Sequence, residues 1–462
     1  MKRLLVVAYY FPPCNVTATH RPLAFVKYLA QEGWHSTVLC ARNPRDDRIE
    51  AGRDDALLSK VPPGTDVIRA TDLNLMAWIT QLRERSKAKS AVANGPEKAP
   101  VVPGTTTVLR TLKHYLASRL CVPDEYQGWY LPALAAGRRL FRSRPIDAIF
   151  SSGPPWTGHM IARRLARTFG VPWVADFRDP WVTHPFVDIP LETLRKRNAE
   201  AEARVVRSAT AIVCVLETMR EDFLARYPDY HPEDIVTIPN GFDPEDYVGL
   251  ASEPEAALVI LHAGTLYGRR RIDPLFTAVK EWRRIDPVGS AQLQVRLLGG
   301  TPEEANELQR TIERWELQGC VRAEGEVSHR EALNNLSRAA VLLVVGFSGP
   351  GDQLQMTGKI FEYLAVRRPI LALAPPSCPV GDLLRETGVR HWIVSPDDQV
   401  GLLSALTDIA AQWKEGKLCG PENGRLEAFS RKKQAQQLSH LLERLVGTRN
   451  PEASARPTKG VS

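Results

Sequence analysis

No two of the seven cysteines, Cys14, Cys40, Cys121, Cys214, Cys320, Cys378 and Cys419, have the Cys-x-x-Cys spacing of a metal knuckle or redox motif. Their scatter and odd number also exclude a disulfide framework, so they are read as reduced thiols of a cytoplasmic protein. No run approaches the ~20 apolar residues that a membrane-spanning helix needs. Lys2-Arg3 followed by Leu4 to Phe11 imitates a secretion signal. The run is short, β-branched and aromatic, however, and ends at Pro12-Pro13 without a small-residue cleavage site, so a buried first strand is expected. The turn after that strand lacks G-x-G-x-x-G and reads Pro12-Pro13-Cys14-Asn15, which removes the main support for a nicotinamide or flavin site. There is no zinc finger, RNP-like motif or long basic run. A net charge of +7 and a pI near 9.0 suit phosphate ligands or an anionic membrane face and are too mild to argue for nucleic acid.

What is present describes a soluble chain of two domains: 462 residues exceed the size at which single cores stop growing, and 44% hydrophobic with 24% charged residues is a globular balance. Leu4 to Tyr10, a helical pattern over Arg21 to Glu32 and a strand at Ser36 to Cys40 make a βαβ opening. Arg83 to Thr107 loses periodicity and is read as an exposed insertion; Val108 to Leu120 then has one apolar and one basic helical face, suited either to a membrane surface or to packing on its own domain. Further strands are expected at 148–152, 171–175, 211–215 and 235–238. Residues 1–242 are read as the first domain, 243–257 as an acidic, proline-containing linker, 258–446 as a second strand–helix series with its final helix, and 447–462 as a tail. The expected fold class is α/β, two Rossmann-like doubly wound domains facing across a cleft.

The stretch Thr357 to Ala365, Thr-Gly-Lys-Ile-Phe-Glu-Tyr-Leu-Ala, carries the sharpest chemistry. Ile360, Phe361 and Leu364 fall at helical spacing, while Gly358 stands at the start of the helix, where unpaired N–H groups attract anions and Lys359 adds a full charge. Glu362 lies on the same side, one turn on, placed to accept two hydrogen bonds from a ribose diol. The bland alternative is an amphipathic helix with a solvated Lys and Glu. His159, just beyond the carboxyl end of a strand, is a candidate to hydrogen-bond a reacting sugar. Asp176 and Asp179 could hold a hard cation, but Arg178 between them favours acceptor recognition or ion pairing, and no metal is expected. Trp156 and Trp181 either stack on a ligand or pack between loops. His329 is read as part of a helix cap.

Several motifs in order resemble the retaining GT-B glycosyltransferases of the large group 1, or family four. They are Ile238-Pro-Asn-Gly-Phe-Asp243, His262-Ala-Gly-Thr-Leu-Tyr267 with Arg269 and Arg270, and Gly358-Lys-Ile-Phe-Glu-Tyr-Leu364 with Arg368-Pro-Ile370. The first half resembles one subgroup through Tyr9-Tyr-Phe-Pro-Pro13, Pro123-Asp124 with Trp129, Ser152-Gly-Pro-Pro155 and Asp176-Phe-Arg-Asp-Pro-Trp181. The resemblance implies transfer of a sugar from a nucleotide-diphosphate donor to a saccharide or lipid-linked acceptor, with retention and without metal or other cofactor, in surface polysaccharide assembly. It implies donor contacts from Gly264, Arg269, Arg270, Thr357, Gly358, Lys359, Glu362 and Asn240, and catalytic roles for His159, Arg270 and Lys359. Acceptor contacts would come from Asp176, Arg178, Asp179 and Trp181. Partners would then be a nucleotide sugar, the acceptor and, from the charge, an anionic membrane at the cytoplasmic face. Two departures stand out: Leu354, between Gln353 and Gln355, replaces a Glu common eight positions before Glu362, and Asn15-Val16 replaces a Gly-Gly loop. A nucleotide-sugar 2-epimerase, or a degenerate transferase that only binds nucleotide, are the competing functions.

Overall fold

The structure is a computed structural model that describes residues 2–44, 52–73, 122–185, 191–250, 253–266, 270–347, 349, 351–418 and 424–448. The segments expected to form the insertion and the amphipathic helix after it lie outside the described residues, as do Arg269 and the tail from residue 449.

Seven parallel strands build the first sheet: β1 (Lys2–Ala8), β2 (Trp34–Ala41), β3 (Asp66–Ala70), β4 (Ala148–Gly153), β5 (Trp173–Phe177), β6 (Ala211–Cys214) and β7 (Ile235–Thr237), in the order β3-β2-β1-β4-β5-β6-β7. In register, β1 sets Leu4 opposite Ser36 of β2 and Ala148 of β4. Its unbroken apolar run follows from two-sided burial. Leu5 and Val7 face α2 (Tyr130–Ser143) and α3 (Thr157–Phe169), whereas Leu4 and Val6 face α1 (Thr17–Leu29). Helices α4 (Glu192–Val206) and α5 (Glu217–Arg226) complete this half.

The second sheet has six parallel strands, β8 (Leu258–Ala263), β9 (Leu293–Leu298), β10 (Val321–Gly325), β11 (Val341–Val345), β12 (Ile370–Leu373) and β13 (His391–Val394), in the order β10-β9-β8-β11-β12-β13. Its helices are α6 (Asp273–Ile285), α7 (Pro302–Arg314), α8 (His329–Arg338), α9 (Lys359–Val366), α10 (Pro379–Thr387) and α11 (Gln399–Lys414). The strand order reverses between β1 and β4 and again between β8 and β11. Crevices at the carboxyl ends of those strand pairs are where such sheets hold ligands.

The last helix, α12 (Arg431–Gly447), leaves the domain whose sequence it follows. Leu438 and Leu442 are fully buried with Val6, Leu23 and Val26, and the Trp34 indole donates to Ser439 Oγ at 3.1 Å. Grouping this helix with the second domain, as sequence order suggests, is corrected by that packing. Its apolar stripe fits any sheet face, and the first sheet has one face that α1 alone does not cover. The linker is fastened too, because the Asp243 carboxylate accepts from the Lys27 ammonium at 2.8 Å and from the Tyr28 hydroxyl.

Candidate functional site

Helix α9 is fixed from beneath and open at its start. Ile360, Phe361, Tyr363 and Leu364 are buried, and the Tyr363 hydroxyl accepts from the Ala263 N–H at 2.8 Å, locking the helix to the end of β8. No side chain caps the helix, and a Cβ added at Gly358 would meet nothing within 4 Å. Lys359 Nζ and His329 Nε2 stand 3.4 and 3.5 Å from the two oxygens of Glu362, whose side chain keeps 22% exposure. Burial opposes charge on this carboxyl, but Lys359 and His329 outweigh it and hold its pKa down to about 2. Glu362 is therefore a carboxylate at every physiological pH.

Across the gap stands His20 of α1, its ring stacked 6.3 Å from that of His329. Burial, then Arg431 and His329, push its pKa down to about 3, so it is a neutral donor or acceptor. Arg431, at the start of α12, ties that helix to the first domain, donating to the carbonyls of His20 at 3.0 Å and Gly241 at 3.1 Å. Neither residue belongs to a motif found in the sequence; the one available signal was the place of His20 at the start of the helix after the first strand.

The end of β8 supplies the second wall. Gly264 adopts φ +145°, and Gly299 (φ +116°) approaches it so closely that a Cβ would lie 2.8 Å from the Gly264 carbonyl carbon. Arg270 donates to the Thr265 carbonyl at 3.0 Å and lies over the Phe347 ring at 4.5 Å. His262 Nδ1 donates to the Leu343 carbonyl at 2.9 Å. Burial, with Arg270 and Lys359 behind it, lowers its pKa to about 4 against the pull of that carbonyl. Gly264, Arg270, Thr357, Gly358, Lys359 and Glu362 thus gather at one crevice; Asn240 is set back at the domain junction, its carbonyl accepting from Gln434 Nε2 at 3.0 Å.

The first domain departs from expectation at several residues. Strand β5 runs two residues further than its apolar run, through Asp176, which is 0% exposed. Its carboxylate accepts from Arg21 Nε and Nη2 at 2.8–3.1 Å and from Ser152 Oγ at 2.6 Å, while Arg21 also donates to the carbonyls of Ile238 and Pro239. An acceptor cannot reach this carboxylate. Trp181 stacks on Trp156 at 4.9 Å and donates to Asn198, so packing, not ligand stacking, occupies it. His159 is fully buried among Trp156, Trp173 and Phe177, with Nδ1 2.8 Å from Ser151 Oγ and a pKa pushed by burial to about 3. Its ring is sealed from the cleft in this conformation. Arg178 and Asp179 remain partly exposed, with Arg178 donating to the Pro154 carbonyl.

Where the resemblance implies a Glu, Leu354 packs with Met356 against the first domain's core. The flanking amides are engaged as well: Gln353 Nε2 donates to the Ser377 carbonyl and Gln355 Nε2 to His184 Nε2, both at 3.1 Å, while Thr218 Oγ1 donates to the Gln353 carbonyl at 2.6 Å. This stretch therefore clasps the two domains together.

Residues 18–241 match the family model described as Glycosyl transferase 4-like domain. The whole chain is similar in fold to sucrose-phosphate synthase of Thermosynechococcus elongatus, with 17% identity and a TM-score of 0.63 over 97% of this chain and 100% of that one. Similar too are the N-terminal domain of Candida albicans trehalose-6-phosphate phosphatase (13%, TM-score 0.60, 97% of each chain) and Anabaena HepE in complex with UDP and glucose (14%, 0.59, 96% and 100%). Comparison with curated proteins gives no match. The architecture is the two-domain GT-B fold.

Proposed function

We propose that this GT-B chain, whose residues 18–241 match the glycosyl transferase 4-like model, moves a sugar from a nucleoside-diphosphate donor to a saccharide or lipid-linked acceptor with retention at the anomeric carbon. The observation that carries the reading is the crevice of α9: an uncapped helix start, Lys359 beside it and a permanently ionised Glu362 one turn on. The diphosphate lies at Gly358 and Lys359, with Arg270 on its far side, and Glu362 takes the ribose diol. As the bond from the anomeric carbon to the diphosphate oxygen breaks, its electron pair stays on that oxygen and these cations stabilise the charge. The acceptor oxygen attacks from the same face and its proton passes to the departing diphosphate. In the first domain Arg178 and Asp179 are the expected acceptor contacts that keep exposure, and Arg178 suits an anionic group such as an acceptor phosphate. The process served is assembly of a surface glycan.

HepE, of the same fold, is described in complex with UDP and glucose, which supports trying a uridine nucleotide first. A thermal-shift screen of nucleotide sugars identifies the donor, since ligands of the folded state raise Tm. Product analysis then decides the reaction: sugar found on the acceptor with the donor's anomeric configuration supports transfer, and an altered free nucleotide sugar supports an epimerase instead. One observation favours a second reading. Leu354, at the position where the resemblance implies a Glu, packs against the first domain's core and carries no carboxylate, as in a protein that binds nucleotide without turnover. Failure of every donor to be hydrolysed or transferred, despite nucleotide binding, would decide for it.

A further inference from the structure

His20 and His329 have no part in the donor contacts named so far, yet both stand beside the carboxylate that those contacts use. His329 Nε2 is 3.5 Å from Glu362 Oε1, and the charge of the same carboxylate acts on His20. Each ring is held in place by its neighbours. His329 is the first residue of α8, fixed there because the Ser328 hydroxyl accepts from the Glu331 N–H at 3.3 Å. His20 lies between Thr19, which is fully buried, and Arg21, which is clamped on Asp176, and its carbonyl accepts from Arg431 at 3.0 Å. Rings placed in advance lose little further freedom when a ligand arrives. They lie 30° from parallel with centroids 6.3 Å apart. That is close to ~6.8 Å, twice the base-stacking distance of ~3.4 Å, at which two rings admit a third planar ring between them. Neither ring nitrogen of His20 has a hydrogen-bond partner among the described residues, so the protein's own polar contacts do not account for this imidazole. It is also uncharged, and a base covers its face without burying a charge. His329 keeps 39% of its side chain exposed, so its ring is open to a ligand.

We propose that His20 of the first domain and His329 of the second are the two walls of a slot that takes the nucleobase of the donor. This rests on the donor reading and deepens it. A base is bonded to the ribose carbon next to the one that carries the 2′-hydroxyl, so a ribose held on Glu362 delivers its base beside His329. Stacking is tolerant of base identity, because every base has a π face, and the slot therefore recognises a nucleobase as a class. Its walls come from different domains, so the nucleotide itself ties the two halves together across the gap.

The full chain is titrated calorimetrically with UDP, CDP, ADP and GDP, and with ribose 5-phosphate as the ligand that lacks a base. The variants are H20A, H329A, H20F and H329F. For the diphosphate that the wild type binds most tightly, each Ala variant should lose about 5- to 150-fold in affinity relative to ribose 5-phosphate. The ratio cancels any loss common to both ligands, such as a weakened fold. The Phe variants keep a ring without its nitrogens and should hold the ratio within about threefold of the wild type. The proposal is overturned if the Ala variants leave the ratio unchanged, as they would if ribose 5-phosphate weakened equally. It is also overturned if the Phe variants fall as far as the Ala variants, which would make the histidines hydrogen-bond partners instead of stacking walls. In each of these outcomes the wild type still binds nucleotide and the donor reading stands; failure of all four diphosphates to bind would overturn both.

Discussion

Replacing Glu362 by Ala isolates the contact on which the nucleotide assignment rests. A charge-assisted hydrogen bond to a ribose hydroxyl contributes ~1.5–3 kcal/mol, about 10- to 150-fold in affinity. The 22% exposure of this side chain argues for the lower part of that range, about 10- to 30-fold. The same substitution frees Lys359 and His329, which stand 3.4 and 3.5 Å from the carboxylate. An exposed ion pair of this kind contributes ~0–1 kcal/mol, so inorganic pyrophosphate should bind the variant equally or up to about fivefold more tightly. The two ligands thus move in opposite directions. Isothermal titration of the wild type, Glu362→Ala and Glu362→Gln with a nucleoside diphosphate and with pyrophosphate gives the ratio of affinities, which should drop at least about tenfold in the Ala variant. An unchanged ratio would show that no sugar hydroxyl of the nucleotide reaches this carboxylate, and the reasoning would fail there.

Three other outcomes are expected. Asp176→Asn breaks a buried pair and strands Arg21, at a cost of ~3–5 kcal/mol in urea unfolding; a loss under ~1 kcal/mol would show that the clamp is dispensable. Gly299→Ala forces a positive-φ side chain onto the Gly264 backbone, so Tm should fall by several degrees and nucleoside-diphosphate affinity by about tenfold, and a neutral result would refute the close approach. His20, His159 and His262 have folded pKa values lowered to about 3, 3 and 4, below the ordinary 6.5. The unfolded chain therefore takes up their protons first, and stability falls as pH drops from about 7 to 5, by up to roughly 2 kcal/mol for each residue. Glu362, with its pKa lowered, adds to the loss only below about 4.5. A Tm flat from pH 7 to 5 would contradict the burial of these rings.

The sheets were legible because parallel strands covered on both faces read as unbroken apolar runs, as at Leu4 to Val7 and Val341 to Val345. Glu362 and Lys359 were legible for a local reason: helical spacing alone places them beside Gly358. What escaped was non-local. Arg21 and Asp176 are 155 positions apart, and only the pairing of β1, β4 and β5 brings them together. The position of His159 beyond a strand end suggested access, yet Trp156 and Trp173 close over it. His20 and His329 face each other only because two domains meet, which no spacing within either one encodes.

The return of α12 to the first sheet bears on how the chain is made. While the ribosome is still translating the second domain, the face of β1 that carries Leu4 and Val6 lacks the leucines at 438 and 442 that finish covering it. The half made first is thus completed last. A fragment cut at the family boundary near residue 241 should emerge sticky and prone to self-association, and adding the isolated C-terminal helix in trans should rescue its solubility.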